Sequence, residues 1–544
     1  MAVRLERAAR RGRAALGRAR FGLLAAGVYL LAAVVATWPA VRRAHESFLA
    51  LAEPGGGGGA PGDHLQLVYQ LWLAGHNLVR GAAPWRDPYS FQPVAEPTAV
   101  FLGWLFGLPW SAVAAVAGPV AAWNAFTLAS FLLAGGAACA WLRELGVPRP
   151  PALVGGLAFA LAPYRVAQST GHLLGPISAL LPVALWAYER GRRGSRAWWA
   201  ASAAALAAIP LSGQLHLALG AIPFFAAYVV VRSRDRRALL FAAGAAAAAA
   251  GAGLLVRLAT IEGSIAADGR SLRAVAFYSV DPLDFVVPSM RQGLEQLVFL
   301  GWATPLLALG GLALLVRAGR HGLAALLGLG VLVPSLLALG TKLPTYELLW
   351  RYVPGFNFPR VPARLMPIAV LALAALVAFL LARFPSGRVA VVATALLLAD
   401  LRVPVFGAAA ADEANAAYAA LADAPPGRLL ELPIFTPERH YASVYLYYRL
   451  QAPRAGPSGY STVAPVAADE ALRRLRPLNC GRWGASRERL VRDLGIRYVA
   501  VHAGLYETSP LVTELCRAPA EESLRRQGWR AVARDGAVTL YRAP

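Results

Sequence analysis

Lysine, cysteine and acidic side chains are all scarce in this chain. Of its 53 basic residues every one but Lys342 is an arginine, only 30 residues are acidic, and charged residues of both signs make up 15% of the sequence. The resulting formal charge of +23 raises the question of nucleic acid. The arginines, however, stand in short runs between apolar blocks, a pattern that sets membrane topology and not a duplex footprint. Three cysteines leave little room for thiol chemistry: Cys139 falls in an apolar run, where a thiol ordinarily packs as a small hydrophobe. Cys480 and Cys516 can pair if their compartment is oxidising, a matter the spacing leaves open. There is no Walker loop, dinucleotide fingerprint, G-x-S-x-G or CxxC, so nucleotide-driven transport and soluble hydrolase chemistry lose ground.

What the chain has in abundance is apolar sequence, 57% of its 544 residues. It comes in blocks of about seventeen to twenty-two, the length that crosses a bilayer's hydrocarbon core. The fold class is therefore a polytopic, all-α membrane domain. Arginines from Arg4 to Arg20 precede the apolar run Phe21–Ala40, which puts the N-terminus in the cytoplasm and makes this run an uncleaved first helix. Further arginine loops at 143–149, 190–196, 232–237, 317–321 and 383–388 alternate with apolar hairpins. The outer side then receives residues 41–98, the turns 164–172 and 212–216, and the loops 259–296 and 341–364. Threading gives about eleven crossings, with twelve or thirteen as alternatives. The apolar stretch 100–142 must cross an odd number of times, so Phe101–Ala117 is expected to be re-entrant or interfacial.

Residues 1–403 form this membrane domain, and residues 404–544 change character. Short strand-like pieces (RLLELPIF, IRYVAVH, AVTLYRA) alternate with helical ones such as ADEALRRLRPL, predicting a small α/β extracytoplasmic domain.

The first outer loop carries PGDHLQLVYQLW, in which Asp63, Gln66, Gln70 and Asn77 recur at helical spacing opposite Leu65, Val68, Trp72 and Leu73. This predicts an interfacial helix with Asp63 at its head, where a carboxylate serves either as a helix N-cap or as a functional group. The loop continues GHNLVRGAAPWRDPYSFQPVAEPTAV. A first membrane helix, an acidic residue, a tryptophan-bearing amphipathic helix and an aromatic, proline-rich return, in that order, resemble the C-type fold (GT-C) glycosyltransferases. The likeness extends through GHLLGPISALLPVALWAYERGRR, FYSVDPLDFVVPS, FNFPRVPARL, LLELP and LGIRYVAVH, as an arrangement and not a tight signature. Members often carry a paired acidic motif, whereas here Asp63 is followed by His64.

The resemblance implies a bacterial, multi-pass inner-membrane enzyme that moves a sugar from a polyprenyl-phosphate donor to an envelope glycan, lipid or protein acceptor on the outer face. It implies Asp63 as the catalytic carboxylate. Arg291, Lys342, Arg360 and Arg364, in or beside the late outer loops, suit the donor phosphate, since guanidinium groups chelate phosphate oxygens. For each the plain alternative is an interfacial anchor. His64, Asp87, His172, His216, Asp281 and Asp284 are accessory candidates. A lone histidine is more often a hydrogen-bonded structural residue, and D-P-L-D at 281–284 also reads as a turn. A divalent metal held by Asp63, His64 and another of these carboxylates is conceivable, without support from spacing. Two readings stand beside the enzyme: a flippase or transporter of a lipid-linked glycan, and a non-catalytic envelope assembly protein. The paucity of charge within the apolar blocks weakens the transporter. The bias to Arg, Ala, Gly and Pro suggests a high-GC bacterial genome.

Overall fold

The computed structural model describes residues 2–94, 96–290 and 293–544. Among them, six helices are long and apolar enough to cross a membrane: Ala19–Thr37, Trp104–Glu144, Leu215–Arg232, Arg236–Ile261, His321–Ala338 and Pro362–Leu381. Shorter apolar helices lie among them at Arg149–Ala160, Leu180–Gly191, Arg196–Leu211, Ala303–Arg317 and Gly387–Asp400. The expected count of about eleven is thus met in length by six, because several apolar runs are divided by turns. The run from Leu173 to Gly191, for example, splits into Leu174–Ile177 and Leu180–Gly191. Pro362–Leu381 is the central helix, with 89% of its apolar window buried against 22% for Arg236–Ile261.

The ambiguous stretch after residue 100 has a definite shape. Trp104–Glu144 breaks at Gly118, whose φ of 82° lies in the left-handed region that glycine tolerates and other residues resist. The piece before the break has fourteen residues and spans about 20 Å, short of the roughly 30 Å hydrocarbon core. It lies along the helix Asp63–Val79, with the Ser111 hydroxyl donating to the Leu71 carbonyl.

The residue 403/404 boundary marks a change of composition but no break in packing. Ser47–Ala50, in the loop after the first apolar helix, pairs antiparallel with Gly407–Ala410. Beyond it, strands Arg428–Leu432, Ile496–His502, Val538–Arg542 and Arg530–Asp535 form a mixed sheet in that spatial order. The first pair is parallel and the other two are antiparallel. Leu430, Val499, Leu475 and Leu524 belong to a separate small core on this sheet. Tyr445, Tyr447 and Tyr448, by contrast, pack into the same core as the membrane helices. Cys480 and Cys516 form a disulfide.

Candidate active site

The loops that threading assigns to one side converge on a single cavity of about 1080 Å³. Its walls are the start of the Asp63 helix, the turns around His172 and His216, the end of Arg236–Ile261, the segments around Glu295 and Arg360, and residues 438–465 of the C-terminal region. The arginine loops gather elsewhere. Arg190 and Arg193 both pair with Glu144, and Glu189 holds Arg192 and Arg232.

Asp63 opens its helix directly after Gly62, yet its carboxylate makes no capping bond; it turns into the cavity. Oδ2 lies 2.5 Å from His172 Nε2, and Oδ1 accepts a hydrogen bond from the Tyr460 hydroxyl at 2.5 Å. Gly171 allows the close approach of the His172 turn: a Cβ there would stand 3.3 Å from the Asp63 Cβ. On its far side His172 Nδ1 meets Gln168 Oε1 at 2.8 Å, with Glu295 Oε1 3.6 Å away. Gln168 donates through Nε2 to Glu295 Oε2 at 3.0 Å, which fixes which end of the amide faces the imidazole. Glu295 is in turn gripped by the Arg364 guanidinium, through Nε at 3.1 Å and through Nη2.

The electrostatics follow from this alternation of signs. Burial alone would raise the Asp63 carboxyl, but the His172 charge and the hydrogen bonds from His172 and Tyr460 outweigh it and hold the group well below the usual carboxylate range. Burial would likewise lower His172, and the charges of Glu295 and Asp63 reverse this and raise it. Glu295 is pulled down to about 2: burial opposes the shift, while Arg364 and then His172 drive it. Tyr460 is pushed up by burial and then by the Asp63 charge, and so remains a donor.

Cations form the other wall. Arg360 stacks over the Tyr278 ring, 5.1 Å from its centroid, and makes no ion pair among the described residues. Arg270 reaches Glu438 at 3.4 Å. His216 sets its ring against Phe358, at 5.4 Å, and leaves Nδ1 buried without a partner. Apolar side chains, among them Leu173, Leu215, Val256 and Ala259, line the same space.

The cavity therefore brings together Asp63, His172, His216, Arg360 and Arg364 of the sequence candidates. His64 and Asp87 also touch it but are committed to the fold. The His64 ring is buried between Phe48 and Trp123, with Nε2 unpartnered, and burial lowers its imidazole to about 3. Asp87 accepts from the Tyr69 hydroxyl and from the backbone N–H groups of Tyr89 and Ser90. Lys342 pairs with Asp281 at 2.5 Å, and neither lines the cavity. Asp284 is buried and accepts from the Asp281 backbone N–H, as a turn residue does. Arg291 lies outside the described residues. Glu295, Gln168, Tyr460 and Arg270 escaped the sequence reading. Glu295, in GLEQL, was an outer-loop carboxylate that could have been counted; Tyr460 lies 397 residues from Asp63 and carried no signal.

The metal set of Asp63 and His64 is not assembled as the sequence would have it: His64 faces an aromatic pocket, and no group of three metal-ligating side chains occurs among the described residues.

No family profile and no curated protein matches the sequence. Solved structures do. The arabinofuranosyltransferase AftD from Mycobacteria superposes with a TM-score of 0.57 at 15% identity, over 96% of this chain and 40% of that one. The archaeal oligosaccharyltransferase AglB from Archaeoglobus fulgidus, in complex with an inhibitory peptide and a dolichol-phosphate, gives 0.50 at 12% identity, over 96% and 74%. The chain thus spans about two fifths of the length of AftD. At such identities the likeness is one of fold alone.

Proposed function

We propose that this protein transfers a sugar from a polyprenyl-phosphate donor to a hydroxyl-bearing acceptor in the Asp63 cavity. One observation carries the reading: a carboxylate free of capping duty, a cationic wall and an apolar lining share a single space of about 1080 Å³. The arginines suit the phosphate, and the apolar lining suits the first isoprene units. In the transfer, the bond from the anomeric carbon to the phosphate oxygen breaks as the bond to the acceptor oxygen forms. The electron pair leaves on the phosphate, beside Arg360 and Arg364, and the acceptor's proton passes to the Asp63 carboxylate. The dolichol-phosphate bound to AglB supports a lipid-linked substrate in a fold of this kind.

Membrane placement belongs to the same proposal. About eleven crossings, a cytoplasmic N-terminus and a cavity on the outer face of a bacterial inner membrane are supported by the arginine loops. The Cys480–Cys516 bond suits an oxidising compartment. The acceptor is a glycan, lipid or protein of the envelope.

The test supplies the protein in nanodiscs with a panel of polyprenyl-phosphate sugars and delipidated envelope fractions. Release of polyprenyl phosphate coupled to a labelled product supports the proposal. Movement of intact donor across a vesicle bilayer without transfer would replace it with the flippase.

A further inference from the structure

His172 is fixed from two sides in a way that the transfer reaction alone does not require. Gln168 presents its oxygen to Nδ1, because its amide nitrogen is spent on Glu295, so Nδ1 must carry a hydrogen. Nε2 lies 2.5 Å from the Asp63 carboxylate. A neutral ring with its hydrogen on Nδ1 would point a lone pair at that carboxylate, which is repulsive at this distance. Only the doubly protonated ring donates to both neighbours.

We propose that His172 is a positioning residue that works as a fixed imidazolium, held by Gln168 and Glu295, and that it supplies a positive charge beside Asp63. The proposal rests on the transfer reading and adds a consequence to it. A carboxylate bonded to an imidazolium and a phenol is a weak base. It orients the acceptor hydroxyl and takes its proton late, once the forming bond to the anomeric carbon has made that hydroxyl acidic. The charged groups facing His172 are Asp63 on its helix, Glu295 on the loop before Ala303–Arg317, and Arg364 at the head of the central helix. Tyr460 and His440 act on it through Asp63, and Arg360 through Glu295. The two carboxylates outweigh Arg364, and His172 is raised above the ordinary imidazole value. The sign follows: the imidazolium is complete at acid pH and is lost as pH rises through that raised value, so transfer falls on the alkaline side.

Two measurements test this. In the first, the pH profile of transfer is taken for the full-length wild type, Glu295→Gln and Gln168→Met. The alkaline limb should move to lower pH by about one to three units in Glu295→Gln, which removes a charge 3.6 Å from the ring, and by less, in the same direction, in Gln168→Met. A merely structural role would lower transfer equally at every pH and leave the limb in place; that result overturns the proposal. Should Glu295→Gln fail to fold because Arg364 loses its partner, Gln168→Met still decides. In the second, 15N NMR of histidine-labelled, substrate-free protein, with the signal assigned by its loss in His172→Asn, should show both ring nitrogens protonated near neutral pH. A neutral ring there refutes the imidazolium even if transfer occurs. An imidazolium in a protein that transfers no sugar would instead count against the transferase reading alone.

Discussion

Arg360 and Arg364 both face the cavity, but their partners differ, and this decides what their loss does. Arg364 neutralises the buried Glu295. Arg364→Ala leaves that carboxylate uncompensated, and both expression and transfer should fall, with a stability loss of about 3 to 5 kcal/mol by thermal unfolding. Arg360 rests on Tyr278, so Arg360→Ala should cost about 1 kcal/mol or less while raising the apparent KM for the lipid donor. A large stability loss for Arg360→Ala would make it an anchor. Lys342 is a sequence candidate for the phosphate, but it and Asp281 are both about two fifths exposed and stand apart from the cavity. Lys342→Ala should change stability by at most about 1 kcal/mol and leave donor KM unmoved; a raised KM would return it to the phosphate site. Asp63, His172, Arg360 and Arg364 were legible because charge at the end of an apolar run is costly and has to be explained. Glu295 and Gln168 were not, because their meaning comes from a neighbour more than a hundred residues away.

At the scale of elements, residues 438–465 matter most to the site, and they belong to the region that composition set apart as a separate domain. Ile265 donates to the Ala464 carbonyl, Arg270 reaches both Glu438 and the Thr462 carbonyl, and Tyr460 bonds Asp63. The segment thus closes the cavity as a wall. Tyr460→Phe keeps the ring and removes one charge-assisted donor, so transfer should fall by about tenfold to a hundredfold with little change in the thermal midpoint. Unaltered transfer would show that the contact only seats the wall. The strands Arg428–Leu432, Ile496–His502 and Val538–Arg542 were legible from their length and their proline and glycine borders, whereas Arg530–Asp535 was not. Nor was the pairing of Ser47–Ala50 with Gly407–Ala410, since two four-residue pieces so far apart in sequence share no local signal. The break at Gly118 divides the stretch whose number of crossings periodicity left in conflict.

For the whole molecule, the loops that threading groups on one side share one cavity, and the helix lengths are more uneven than apolar content suggested. Reporter fusions after Val405 should behave as extracytoplasmic, because each arginine run resists translocation. A cytoplasmic signal would move the cavity to the inner face. The central claim is that Asp63 performs sugar transfer in this cavity, and Asp63→Asn tests it most directly. The amide keeps the shape and can still accept from Tyr460, so the variant should insert and fold at a cost of about 1 to 3 kcal/mol. It loses the charge that meets the acceptor hydroxyl, for which general-base assistance is worth a hundredfold or more. With membranes matched for protein and supplied with a polyprenyl-phosphate sugar, the account predicts transfer by the wild type and a loss of at least about a hundredfold in Asp63→Asn. Transfer by the variant at the wild-type rate would contradict it.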